Sequence, residues 1–281
     1  MSGAAATTAA SPPVAARPRA ASLIVGAIAS RRRPFIGLLV GMVLWEIIGR
    51  IWDVEFFPPL SAVLARLVQL TLSGQILDNL ASSLTNLVLG FAVSATFGLI
   101  VGGLMGAYRK VDMALDPYIY ALLTAPSLVF APLFFSLFGL SRITIVGVVF
   151  VYSTWIIVIN TATAIRTVPQ GMIEMGRAYC ATDRQLFREV ILPAATPLIM
   201  AGLRLGMGRA VKGMINGEMF IAAVGLGAII IQAEGSFDDR TVLAILLVII
   251  AVALVALKLV EIVDHRLTSW LPSTAREARR R

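Results

Sequence analysis

Residues 241–262 read TVLAILLVIIAVALVALKLVEI, an apolar run interrupted only by Lys258 and Glu261 close to its end. A helix built from it has no polar face to turn toward water, and about 20 such residues span the hydrocarbon core of a bilayer. Working back along the chain, comparable runs occupy 35–52, 86–107, 117–138, 143–164 and 197–222. The expected fold is therefore all-α, a polytopic membrane protein with about six transmembrane helices. Composition agrees. Of 281 residues 58% are apolar and 14% charged, whereas a soluble domain carries about a quarter charged residues.

Several function classes drop out. A single cysteine, Cys180, and a single histidine, His265, leave no disulfide framework, no Cys/His metal site and almost nothing for His- or Cys-based catalysis. The net charge of +8 comes from dispersed basic residues with no aromatic-interleaved patch, so membrane topology explains it and nucleic acid does not. No GxxxxGK[ST] phosphate loop occurs, so the chain is not expected to hydrolyse ATP itself.

Three regions are expected: a disordered tail at 1–34, a membrane domain at 35–265 and a basic tail at 266–281. Residues 1–30 are rich in Ala, Ser, Thr and Pro. Arg31-Arg32-Arg33-Pro34-Phe35-Ile36 has the look of a twin-arginine export signal, but no small-residue cleavage site follows. It reads instead as a charge anchor before the first span. After Pro58-Pro59, the residues Leu60, Val63, Leu64, Leu67 and Val68 recur at helical spacing and mark an interfacial amphipathic helix.

Charge sets the orientation. One side collects Arg17, Arg19, Arg31, Arg32, Arg33, Arg109, Lys110, Arg166, Arg177, Arg184, Arg188, Arg266, Arg276, Arg279, Arg280 and Arg281. The other holds only Arg50, Arg66, Arg142 and Arg240. The positive-inside rule then places both termini in the cytoplasm. Glycines at Gly98-x3-Gly102-x3-Gly106, Gly202-x3-Gly206 and Gly213-x3-Gly217 let helix backbones approach closely. Packing within the chain is the preferred reading over a dimer seam. No internal repeat is visible, which argues against an inverted-repeat carrier.

The connection from Arg166 to Ala195 is too long for a plain turn. It opens on Thr167-Val168-Pro169, continues with Met172, Met175 and Tyr179, and restarts at a Thr182-x-x-Gln185 capping box. Phe187, Val190 and Ile191 extend a second amphipathic helix, which Leu192-Pro193 is expected to stop. This helix–turn–helix should present Glu174, Arg177, Arg184, Arg188 and Glu189 outward.

Here a resemblance enters. Glu174-Met175-Gly176, three residues, Cys180, nine residues and Val190-x-Leu192-Pro193 match the spacing of the EAA-x3-G-x9-I-x-L-P signature. That signature marks permease subunits of binding-protein-dependent ABC importers. Val190 replaces Ile, Met175 and Gly176 stand where alanines are usual, and Cys180 stands where glycine is usual. The wider chain, about 35–265, resembles the nitrate/taurine/sulfonate branch through Gly90, Gly202-Leu203-Arg204, Glu218-Met219 and Gly225-Leu226-Gly227 before Gln232. The resemblance implies a bacterial inner-membrane permease, with the loop as a coupling helix seated on a separate ATPase through Glu174, Arg177, Cys180, Thr182, Asp183 and Arg184. It implies two ATPase copies holding ATP and Mg, a second permease copy, a periplasmic substrate-binding protein and surrounding lipid, with no cofactor in this chain. If position 180 requires a positive φ, cysteine is strained there by roughly 1 kcal/mol or more.

Polar residues within the spans need individual reasons. Glu46 and Arg50, at i and i+4, suit an ion pair. Asn160 suits an interhelical link or a pathway residue, the link being preferred. On span five, Arg204 is expected to snorkel to the cytoplasmic interface. Arg209, Lys212 and Asn216 share one face, with Glu218 opposite Arg209. Counted from Pro197, Arg209 and Lys212 lie about 18 and 22 Å deep, so Arg209, Lys212 and Asn216, with Asn160, are candidates for an anion path. The family resemblance, not these residues, implies the range of cargoes: nitrate, taurine, alkylsulfonates, bicarbonate, thiamine-precursor pyrimidines or aromatic carboxylates. An ion-coupled secondary carrier would need Glu46 or Glu218 as its coupling carboxylate, and a non-transporting scaffold would use the loop only as a partner site.

Overall fold

The computed structural model describes residues 20–51, 56–221 and 223–270, with side chains from Ile36 onward, and among these residues it contains helices and no strands. It divides into two units, residues 1–60 and 61–281.

The first unit holds α1 (Ala20–Ile51). It includes residues 20–34, which the sequence reading assigned to the tail. The Ala-rich composition that suggested low complexity is also the best helix-forming composition, and Leu23, Ile24 and Ile28 are interspersed in it. The twin-arginine-like side chains, residues 1–19 and residues 271–281 lie outside the description. Glu46 and Arg50 form the expected pair at 2.6 Å. The chain then folds back: Trp45 Nε1 donates to the Pro58 carbonyl at 3.2 Å, and the Trp45 and Phe57 rings lie 5.9 Å apart.

The second unit is built around α6 (Arg142–Arg166), the most enclosed of the long helices. Its Val, Ile and Thr side chains meet glycines on both sides. On α3 (Gln75–Ala107), Gly90, Gly98, Gly102 and Gly106 lie against Val149, Ile157, Thr161 and Ile165. On α9 (Leu192–Ile221), Gly202, Gly206, Gly213 and Gly217 lie against Asn160, Ile157, Tyr152 and Ile145. A Cβ at Gly98 or Gly206 would come within 2.7 Å or 2.6 Å of Ile157. The glycine stripes therefore pack within the chain, as expected. β-branched residues suit this role because they are already stiff at χ1 and lose little freedom on being enclosed.

The remaining elements surround this trio. α2 (Leu60–Leu72) buries Val63 and Leu70 and leaves Leu64 and Val68 exposed, an amphipathic pattern. α3 begins at Gln75, eleven residues before the expected span, because its polar start faces inward onto the cluster described below. The expected span at 117–138 is broken. α4 (Arg109–Thr124) and a 3₁₀ turn at Ser127–Val129 leading into α5 (Phe130–Phe138) meet at 88°. Pro126 drives Ala125 into an extended conformation, ψ 139°, and offers no amide to continue the helix.

After α6 come α7 (Gln170–Ala178), the short α8 (Asp183–Gln185), α9, α10 (Leu226–Gly235) and α11 (Asp239–Leu267). α10 is too short to cross a membrane, and Leu226, Ala228, Ile229, Ile230 and Ala233 bury it in the bundle. Among the described residues four helices are long and apolar enough to span a membrane, or five if the bent α4–α5 pair counts as one.

Candidate functional site

The connection between α6 and α9 forms an elbow. Arg166, closing α6, pairs with Asp112 of α4 at 2.7 Å. α7 ends in a left-handed turn at Cys180, φ 57°. The Cys180 amide donates to the Arg177 carbonyl at 2.9 Å, and the Ala181 amide donates to the Gly176 carbonyl at 3.1 Å. This bond pair is a Schellman motif, whose left-handed position glycine fills at no cost. The glycine of the importer signature and the strain attached to Cys180 thus share one origin.

The chain restarts at the Thr182 capping box. The Gln185 amide donates to Thr182 Oγ1 at 3.4 Å, and the Thr182 amide donates to Gln185 Oε1 at 3.0 Å. Glu174, Arg177, Cys180, Thr182, Asp183 and Arg184 are all exposed on this one elbow, as are Arg188 and Glu189. Among the described residues Glu174, Arg177, Asp183 and Arg184 form no ion pair. Beneath them Ile165, Val168, Ala195 and Ile199 pack with Ile173, Phe187 and Ile191, anchoring the elbow to α6 and α9. A Cβ at Gly176 would come within 2.7 Å of Leu186 Cδ1, so that position keeps the two arms close.

One expectation fails here. Leu192-Pro193 does not stop the helix. A π-helical segment at Leu186–Ile191 runs straight into α9, with the Leu192 amide bonded to the Phe187 carbonyl five residues back. The wider π turn accommodates a proline that can donate no amide of its own, so the helix continues.

On α9, Arg204 pairs with Asp264 near the end of α11 at 2.7 Å. Arg209 and Lys212 are exposed and, among the described residues, form no ion pair. Because α9 begins at Leu192, depth counted from Pro197 has no structural anchor. α6 supplies a better ruler. It is bracketed by Arg142 and Arg166, and Thr154 is its middle residue. Gly206 packs on Ile157 and Gly213 on Tyr152, so Arg209 and Lys212 lie level with the middle of α6. Asn216 is half-buried, and its Nδ2 donates to Tyr152 Oη at 2.7 Å. Among the described residues Asn160 makes no hydrogen bond across helices. Its Nδ2 donates to the Ile156 carbonyl of its own helix at 2.7 Å, and the residue packs beneath Gly202.

The sequence offered one deeply buried polar group only as a coupling carboxylate for a carrier, without its partners. Glu218 is fully buried. It accepts hydrogen bonds from Ser83 Oγ at 2.7 Å, Asn86 Nδ2 at 3.0 Å and the Gly227 amide at 3.2 Å. Ser83 Oγ accepts from the Leu226 amide at 2.9 Å, and Asn79 Oδ1 accepts from the Gly225 amide at 3.1 Å. Three side chains from α3 and α9 thereby cap the amides at the start of α10, where the helix dipole favours an acidic group. Gly225 has φ 85°, and any Cβ there would collide with the Glu218 carboxyl. Two unread signals in the sequence mark this cluster: the polar stripe Asn79, Ser83, Asn86 at i, i+4, i+7 in an apolar helix, and the Gly225-x-Gly227 pair.

Also at the end of the bundle away from the elbow, Asp238 caps α11 by accepting from the Thr241 amide at 3.1 Å, and Arg66 of α2 reaches it at 3.1 Å. Burial pushes the Asp238 carboxyl up. The Thr241 hydrogen bonds and the Arg66 charge outweigh that and hold it below the usual aspartate range.

A helical bundle with a signature-spaced elbow between two long helices defines a membrane transport component. The profile of the "Binding-protein-dependent transport system inner membrane component" family matches residues 94–269, and this chain belongs to that family. It is 30% identical over 237 residues to the nitrate import permease protein NrtB of Synechocystis, covering 81% of this chain and 84% of that protein. It is 29% identical over 239 residues to a Bacillus subtilis protein named for aliphatic sulfonate transport, SsuC, covering 83% and 87%. Among solved structures, an amino acid ABC transporter chain superposes with TM-score 0.58 at 18% identity, covering 71% of this chain and 97% of that one. The inward-facing MetNI methionine ABC transporter gives TM-score 0.56 at 19% identity, covering 68% and 96%. The chain is thus a multi-pass inner-membrane permease component of an ABC importer, not an enzyme.

Proposed function

We propose that this permease forms half of a passage for a small anionic solute, a second copy supplying the other half, and that the elbow at 166–195 receives motion from a separate ATPase. α1 supplies the sixth crossing, both termini are cytoplasmic, and a periplasmic binding protein delivers the solute. The observation that carries the anion reading is the pair Arg209 and Lys212, unpaired and level with the middle of the most buried helix. Two cations at that depth need solvent, a partner carboxylate or an anion beside them. Nitrate and aliphatic sulfonates, in the names of the relatives above, are anions.

Lys212→Gln should lower anion flux in proteoliposomes while the amount of assembled complex stays constant. Wild-type flux, or a neutral or cationic natural solute, would refute the path. The elbow is tested separately. Glu174→Arg should reduce substrate-stimulated ATP hydrolysis in the reconstituted transporter, whereas unchanged stimulation and ATPase affinity would remove the elbow from the mechanism. An ion-coupled carrier is disfavoured because its two candidate carboxylates are engaged, Glu46 with Arg50 and Glu218 in the cap of α10.

A further inference from the structure

Between α3, α6, α9 and the end of α11 lies a cleft of about 850 Å³. Its walls are apolar: Leu99 from α3, Ile165 from α6, Ile199 and Leu203 from α9, with Phe187 of the π-helical segment closing one side. Four residues of the lining are not apolar in this sense, one of them Thr196, whose hydroxyl is already bonded to the Leu192 carbonyl at 2.8 Å. Arg266 stands at the end of α11, exposed and with no ion pair among the described residues. Trp270 is beside it, 57% exposed. Thr161 is 2% exposed, and its hydroxyl has no hydrogen-bond partner among the described residues, although a helical threonine ordinarily bonds back to a carbonyl of its own helix.

We propose that this cleft holds one anionic phospholipid, its acyl chain along the apolar walls and its phosphate at Arg266. The chemistry of the lining selects this occupant. An extended peptide segment would bring an amide and a carbonyl per residue against walls that are mostly aliphatic, where few polar groups can meet them, and buried unpaired backbone groups are costly. Water would find the same shortage. An acyl chain has no polar group to satisfy, and a glycerol ester carbonyl gives the Thr161 hydroxyl an acceptor. Tryptophan at headgroup level and a basic residue between helices are the pattern that binds anionic headgroups at a membrane interface. The neighbouring Asp264 does not repel the phosphate unopposed, because Arg204 is paired with it. Since Phe187 belongs to the elbow, the lipid links the elbow to the bilayer. Only its assignment to the inner leaflet rests on the proposed orientation.

The test is native mass spectrometry of the purified transporter complex, equilibrated with phosphatidylglycerol or phosphatidylcholine. Wild type should retain phosphatidylglycerol preferentially. Arg266→Gln, at an exposed position, should reduce that preference by roughly fivefold, the share of one basic side chain near a membrane surface. Leu203→Phe, which narrows the slot, should reduce retention of both lipids. Equal retention of the two lipids by wild type, unaltered preference in Arg266→Gln, or protein density in the cleft of the lipid-saturated complex would overturn the proposal. Lipid retention is independent of ATPase stimulation, so the proposal can fail while the elbow reading stands, and the reverse.

Discussion

Replacing Glu218 with alanine strips an acceptor from three donors at a site closed to solvent: Ser83 Oγ, Asn86 Nδ2 and the Gly227 amide. Interhelical hydrogen bonds inside membranes couple by only about 0.6 kcal/mol on average, because the unfolded chain in lipid finds other partners. That figure describes one pair, whereas truncation here orphans several donors, each worth about 1–3 kcal/mol when buried. Allowing a water to enter the vacated space and rescue one of them, the loss is about 3 kcal/mol, concentrated at the start of α10. Glu218→Gln should cost about half as much, because one carboxamide oxygen still accepts while its NH₂ meets other donors. The assay is hydrogen exchange read by mass spectrometry on the peptide 223–235. A loss of about 3 kcal/mol raises the local opening constant more than a hundredfold, and exchange should accelerate accordingly. Unchanged protection of this peptide in Glu218→Ala, in protein that assembles normally, would refute the capping argument.

Cys180→Gly relieves a left-handed cysteine and should stabilise the elbow by about 1 kcal/mol, seen as slower limited proteolysis between α7 and α8. No change would mean the strain is absorbed elsewhere. At Asp238 the folded carboxyl titrates below the usual value of 3.8. Its stabilising contribution is therefore complete above that value and is lost as pH falls through the lowered one. Protection of the Thr241 amide, taken relative to the intrinsic exchange rate at each pH, should fall on acidification in wild type. In Asp238→Asn, which cannot titrate, that acid-dependent step should be missing, and its persistence would assign the step to another group.

The elements legible in sequence were those set by apolar periodicity and backbone chemistry: the long helices, the glycine stripes and the Thr182 capping box. What escaped depended on which way a residue faces in three dimensions. Polar residues at the start of α3 shortened the expected span because hydropathy cannot tell a buried polar contact from an exposed one. Pro126 was absorbed into a continuous span, whereas Pro193 was expected to end one. The difference lies in the chain before each: extended at Ala125, π-helical up to Ile191. Arg209 and Lys212 were recognisable as oddities on α9, but their depth needed α6 as a ruler. Glu218 was weighed as a lone carboxylate because its side-chain partners, Ser83 and Asn86, lie more than 130 residues away in sequence.

The uninterrupted passage from the elbow into α9 makes that helix a lever. Leu192 and Glu218 are separated by about 39 Å of helix at 1.5 Å per residue. If the elbow end tilts by about 5°, the Glu218 end is displaced by about 3 Å, roughly the length of a hydrogen bond. A push of that size at one face of the membrane leaves two outcomes at the other. Either α3 and α10 swing along with Glu218 as one body, or the cap over Gly225, Leu226 and Gly227 comes apart and frees the short helix to move by itself.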